Sequence, residues 1–158
     1  MATTLKKTPG AQTVLSASVV WGYTTGGADG ATSDQMLNIN DVLTSFDVAT
    51  ASTPTFDVMT LPAGATVVSG AVYTETAITS TATGVAVGDD ASAARYLSNT
   101  DIKPAAAVAL VPTGYKNTVA RPIRMTFTNT AADQTLGKCR LVVNFTVDNR
   151  STENLKTT

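Results

Sequence analysis

From Thr13 to Tyr23 the chain alternates, placing Leu15, Ala17, Val19, Trp21 and Tyr23 on one side of an extended backbone. A period of two with one apolar face predicts a half-buried strand. The pattern returns in "DVLTSFDVA", with Val42, Phe46 and Val48 together, and in "TFDVMTL", with Phe56 and Val58. "ASTP" separates these two, because proline cannot donate to a sheet ladder. The cleanest alternations come late. "IRMTFTN" sets Ile123, Met125 and Phe127 inward, and "KCRLVVNFTVD" does the same with Cys139, Leu141, Val143, Phe145 and Val147.

Between them lies "LPAGATVVSGAVYTETA". Pro62-Ala63-Gly64 predicts a turn, proline presetting one dihedral and glycine relieving another. The valine-rich run beyond it predicts a long strand interrupted at Ser69-Gly70, since glycine within a strand often marks a bulge or bend. "GVAVGDD" predicts a short strand ending at Gly88. "DASAARYLS" predicts the chain's one helix, near 90–98, with Asp89 or Asp90 as N-cap. "PAAAVALVPTGY" has alanines that favour helix, but Pro104 and Pro112 bound too short a run, so it predicts a buried strand. About eight strands joined by long connections, without tight Asn-Gly hairpins, predict an all-β fold: a jelly-roll-like antiparallel β-sandwich. This domain spans 14–149. A polar N-terminal arm, 1–13, precedes it and a flexible tail, 150–158, follows.

Composition narrows the function classes. The chain has 158 residues, only 15% of them charged, and a formal net charge of −1. Its cations are dispersed, with Lys6-Lys7 the one basic doublet, so it lacks the converging charge that nucleic acid binding requires. No apolar stretch approaches the roughly 20 residues of a membrane span, and the first residues lack the apolar core of a secretory signal. Histidine is absent. With it go the commonest general base, the histidine-paired nucleophiles and the imidazole metal ligands. Cys139, the single cysteine, falls on an apolar strand face and reads as a small buried hydrophobe. Asp89-Asp90 is the one adjacent acidic pair outside any larger motif; it reads as a turn with a cap or as a calcium site. The glycines of "GGADGATSD" and "LPAGATVVSG" have neither EF-hand nor phosphate-loop spacing. No catalytic residue and no cofactor site is expected. Arg95-Tyr96 on the expected helix offers two readings: Tyr96 packing the helix down beside a solvated Arg95, or both presented to a neighbour, as Arg and Tyr often are at interfaces.

One ordered series carries a resemblance. It runs from the Leu61–Gly64 turn and valine-rich strand through Val87–Asp89, Ala94–Leu97, the alanine-rich Lys103–Leu110 and the Thr113–Tyr115 turn. Over this middle third the chain resembles small all-β structural proteins of tailed-phage head modules. The resemblance implies a virion component, a decoration (cement) protein bound to the outside of the major capsid protein shell. It also implies self-association, as a homotrimer first and a homodimer next, by repeated use of one patch. The arm fits ordering on a neighbour during assembly, Leu5 as apolar anchor and Lys6 and Lys7 for charge contacts. The alternative is a receptor- or glycan-binding module of a phage tail or fibre, with an aromatic platform built from Trp21, Tyr23 or Tyr115. Deleting residues 2–12 is expected to weaken capsid attachment or oligomerisation while the far-ultraviolet spectrum of the β-fold is unchanged. Binding to capsids and the mass of the complex are the measurements.

Overall fold

The computed structural model describes residues 14–24, 35–37, 55–78, 83–129 and 136–148. Nine strands run through them: β1 (Leu15–Thr24), β2 (Gln35–Leu37), β3 (Thr55–Leu61), β4 (Ala65–Thr76), β5 (Thr83–Asp89), β6 (Leu97–Asp101), β7 (Ala107–Ala109), β8 (Arg121–Asn129) and β9 (Leu136–Val147). They build a five-stranded antiparallel sheet, β2-β1-β9-β4-β7, and a four-stranded one, β3-β8-β5-β6. With β2 set aside, β1-β9-β4-β7 faces β3-β8-β5-β6, and only the step from β5 to β6 stays within one sheet. That is the strand order of a jelly roll built from two Greek keys. The arm, the strand expected at 41–49 and the tail lie outside the described residues.

The two strongest alternations occupy the two most demanding places. β9 lies between β1 and β4, and β8 between β3 and β5, so each is hydrogen-bonded on both sides. Their inward residues Ile123, Met125, Phe127, Cys139, Leu141, Val143 and Phe145 are all buried, joined by Val19, Trp21, Val67, Val72, Val85 and Val87. Each such side chain contributes about 1.5–3 kcal/mol by leaving water. The Trp21 ring meets Phe127 edge-on at 6.0 Å and 76°, and Phe56 meets the same ring at 6.0 Å and 69°. These contacts tie β1 of one sheet to β8 and β3 of the other.

The Leu61–Gly64 stretch is a corner between the sheets, as its composition predicts. Ala65 N–H donates to Pro62 O at 3.2 Å, and Gly64 sits at φ 78°, a conformation that side chains with a Cβ rarely adopt. Further on, the sequence and the structure part slightly. β4 bulges at Val68 and again at Glu75, where its pairing with β9 shifts. Gly70 itself stays in register opposite Val143. It is glycine for a different reason: a Cβ there would lie 2.4 Å from Val142 O and 2.7 Å from Leu110 Cδ1. Leu110 fills that hollow and is buried.

Two expectations are overturned. No helix forms at 90–98: the residues after Asp89 make bends and a turn, and the chain re-enters the sheet at Leu97. The cap signature is real, since the Asp89 carboxylate accepts the amides of Ala91 at 2.9 Å and Ser92 at 2.8 Å. What stops the helix is the next tie, Tyr96 N–H donating to Val87 O at 2.9 Å, which returns the chain to β5 within two turns' length. Nor is the alanine-rich segment a buried strand. β7 spans three residues at a sheet edge, with Ala107 and Ala109 exposed and Val108 half-buried. Residues 103–117 cover the open side of β4. Lys103 O accepts Ile78 N–H, Ala106 O accepts Thr74 N–H, Leu110 N–H reaches Gly70 O, and Asn117 N–H reaches Ala65 O. The cover satisfies backbone groups of β4, and the edge it leaves on this side is β7, only three residues long, which gives another strand little to join.

A buried polar relay links this cover to the core. The Cys139 thiol donates to Thr74 Oγ1 at 3.6 Å, and Thr74 Oγ1 donates to Ile102 O at 2.7 Å. Burial pushes the Cys139 thiol up to about 11, so it stays a protonated, unreactive core group at neutral pH. Gly70→Val is expected to cost about 3 kcal/mol by forcing Leu110 and β9 apart. Urea unfolding of the variant should show a lowered midpoint, whereas the outward-facing Ser69→Val should leave it nearly unchanged.

Candidate functional site

The site begins with a glycine and an acid at the end of β5. A Cβ on Gly88 would stand 2.0 Å from Ser92 O and 2.4 Å from the Ala93 carbonyl carbon, so the 89–96 segment folds directly onto its backbone. That fold-back buries Asp89, which is 2% exposed. A buried carboxylate needs its oxygens answered by donors. Besides the two amides, Arg95 supplies Nε–H to Oδ2 at 2.5 Å and Nη2–H to Oδ1 at 3.2 Å. Burial alone would push the Asp89 carboxyl above the usual range; the Arg95 bonds and then the Ala91 and Ser92 amides outweigh it and hold the carboxyl below that range.

Arg95 is shared. Its guanidinium carbon lies 3.7 Å from the centroid of the Tyr115 ring, a cation–π contact worth about 0.5–2 kcal/mol. Tyr115 belongs to the 111–116 segment that leaves the edge of β4, and the start of that segment is fixed by Val111 N–H donating to Tyr96 O at 2.7 Å. Tyr96 lies beneath, 2% exposed. Burial, then the Asp89 charge, pushes its hydroxyl above the usual range, so it is neutral at physiological pH. Next to this knot Arg121 of β8 pairs with Asp90, and three residues further along β8 Arg124 forms a two-pronged pair with Asp57 of β3, at 2.7 and 3.2 Å.

Of the residues singled out from the sequence, Leu5, Lys6 and Lys7 lie outside the described residues. Tyr96 is a core residue, and the helix that was to present it does not form. Arg95 is directed at Asp89 and Tyr115, which leaves the pair little surface to offer a neighbour. Asp89 and Asp90 each face an arginine, which accounts for both carboxylates without an ion. Trp21 is buried and Tyr115 lies under Arg95, so neither forms the open aromatic platform of the glycan-binding alternative. Tyr115 as a partner of Arg95 went unseen in the sequence. Twenty residues separate them, and only the Thr-Gly before Tyr115 hinted at a turn.

Two surface features accompany the knot. Every Lys, Arg, Asp and Glu among the described residues stands in an ion pair. The outer face of the five-stranded sheet, by register and burial, carries Ser18, Val142, Ala71 and Ala109 in one row and Ser16, Asn144 and Ser69 in the next. Charge enters only at one end, where Glu75 bridges Lys138 and Arg140 and Arg140 lies 5.4 Å from the Tyr73 ring.

Against protein-family models the sequence finds no match, and none among curated proteins. Solved structures do match. The chain is similar to one in the cyanophage Pam1 capsid asymmetric unit, with a TM-score of 0.61 and 19% identity over 92% of this chain and 94% of that one. It is also similar to a chain of the acidic stable capsid structure of Helicobacter pylori bacteriophage KHP30, with a TM-score of 0.52 and 14% identity over 86% of this chain and 93% of that one. At these identities what is shared is the fold.

Arg95→Met removes the cation while leaving the buried carboxylate, a change expected to cost about 3 kcal/mol at pH 7. Because the folded Asp89 titrates below its ordinary value of 3.8, its contribution is complete above that pH and fades as pH falls through the folded value. The stability gap between wild type and variant, measured by urea unfolding, should therefore narrow on acidification below about pH 4.

Proposed function

We propose that this protein is a structural component of a phage virion, a decoration protein that binds the outside of the major capsid protein shell and stabilises it. The observation that carries the reading is the likeness of nearly the whole chain, end to end, to a chain from a phage capsid asymmetric unit. The ordered motif series of the middle third, which resembles phage head structural proteins, supports it as well.

The physics of the surface suits the role. A decoration protein holds by many identical, individually modest contacts summed over a lattice. A small-residue sheet face lets another protein surface approach closely, and charges already paired within the chain need not be desolvated alone on binding. The short β7 edge over β4 limits strand-to-strand aggregation at high local concentration. Self-association, as a trimer or dimer, multiplies the contacts.

The test is to mix the purified protein with expanded capsids that lack it and follow co-sedimentation. Saturable binding with a fixed number of copies per capsid, and a rise in the temperature at which the shells open, is the expected result. Absence of saturable binding overturns the proposal. Since the described charges are internally paired, the affinity contributed by the β-domain should change little between low and moderate salt.

A further inference from the structure

Two segments that are far apart in sequence depend on one carboxylate. Asp89 receives the amides of Ala91 and Ser92 and the Arg95 guanidinium. Arg95 lies over Tyr115, and Tyr96 O holds the amide of Val111. The segment so held carries Val111, 66% exposed, followed by exposed Pro112, Thr113 and Gly114. Between Leu110, tied to Gly70, and Lys116, bridged to Thr66, this loop leaves the edge of β4. Its described attachments to the other sheet run through Tyr96 and Arg95.

The geometry points to an acid-released clasp: protonation of Asp89 frees residues 89–96 and, through Arg95 and Tyr115, lets the exposed 111–115 loop come away from that fold-back while the β-sandwich stays folded. A neutral carboxyl can no longer pair with Arg95 or accept from all four of its donors. The groups around Asp89 are Arg95, which binds it, Asp90 beside it, Tyr96 at the segment's end, Tyr115 of the 111–116 loop, reached through Arg95, and Arg121 and Arg124 of β8, which feel its charge while pairing with Asp90 and Asp57. Of these only Asp90 is a second acid, and it is exposed and paired with Arg121. Arg95, Arg121, Arg124 and Tyr96 are all held above their ordinary values, far from the acidic range. Asp89 is the buried carboxylate among the described residues, and the core behind it is apolar. Acid therefore acts on the clasp before it acts on the core.

The test is backbone amide protection by NMR on the full chain from pH about 7 to about 2, with rates corrected for intrinsic exchange. Expected is a joint loss of protection at Ala91, Ser92, Tyr96 and Val111 at a single midpoint below the usual aspartate range, while Val72 and Leu141 in the β4–β9 pair stay protected. Asp89→Asn should show the open pattern at pH 7, at least tenfold less protection at those four amides with the β4–β9 amides unchanged. Tyr115→Leu, which titrates nothing, should keep Ala91 and Ser92 protected at pH 7 but loosen residues 113–116. The idea is overturned if the four amides stay protected until Leu141 loses protection, or if Asp89→Asn retains them. Should the Asn variant unfold the core too, the wild-type series alone decides between these outcomes.

Discussion

Burying a carboxylate at the end of β5 obliges the chain around it to supply donors, and much of the sandwich's end is arranged by that demand. Two amides come from the fold-back over Gly88, which is possible only because no Cβ stands there. The guanidinium comes from Arg95, whose outer side then finds a ring on Tyr115. An unanswered carboxylate in this position would cost several kcal/mol. The bends at 90–96, the return of Tyr96 to β5 and the anchoring of the 111–115 loop therefore follow from one electrostatic requirement. The jelly roll itself rests on apolar burial between its two sheets, whereas this end of it rests on a charge.

The remaining charges obey the same economy on the surface. A chain with few charged residues has sorted those of its described part into pairs, some between strands, as with Asp57–Arg124 across β3 and β8, and others through connections, as with Lys116–Asp148 beside the corner. Exposed pairs of this kind contribute little to stability. Their consequence is for encounters with other molecules: the outer face of the five-stranded sheet presents hydroxyls, amides and apolar groups, Val20, Val68 and Tyr73 among them, instead of an unbalanced field. That is a surface for close, repeated contact with another protein, in keeping with the structural role proposed.

Local pattern went a long way. The alternations of β1, β8 and β9 were legible because a period of two is a property of the segment alone, and the strongest of them became the strands paired on both sides. The Leu61–Gly64 corner was legible because only glycine accepts its dihedral at low cost. Where the local signal was ambiguous it misled. "DASAARYLS" has a genuine capping acid but is drawn back to Val87 after a single turn. The alanines of 104–110 have neither the bulk for a core strand nor the length for a helix, and they serve instead as a thin cover on β4. Gly70 was rightly marked as special but for a reason no sequence displays, the side chain of Leu110 arriving from forty residues away.

By itself, then, the sequence determined that this is a two-layer β-structure with an apolar interior, a sparse charge and no histidine chemistry, because composition and period are summed over neighbours in the chain. Tertiary structure alone decided the strand order, the bulge at Val68 and the partnership of Asp89, Arg95 and Tyr115. Each of those depends on which strands lie side by side, and side-by-side placement in a jelly roll joins residues that are remote in sequence. An aspartate, an arginine and a tyrosine are unremarkable in a list of residues. They become one linked cluster only when β5, the fold-back and the cover of β4 are brought to the same edge.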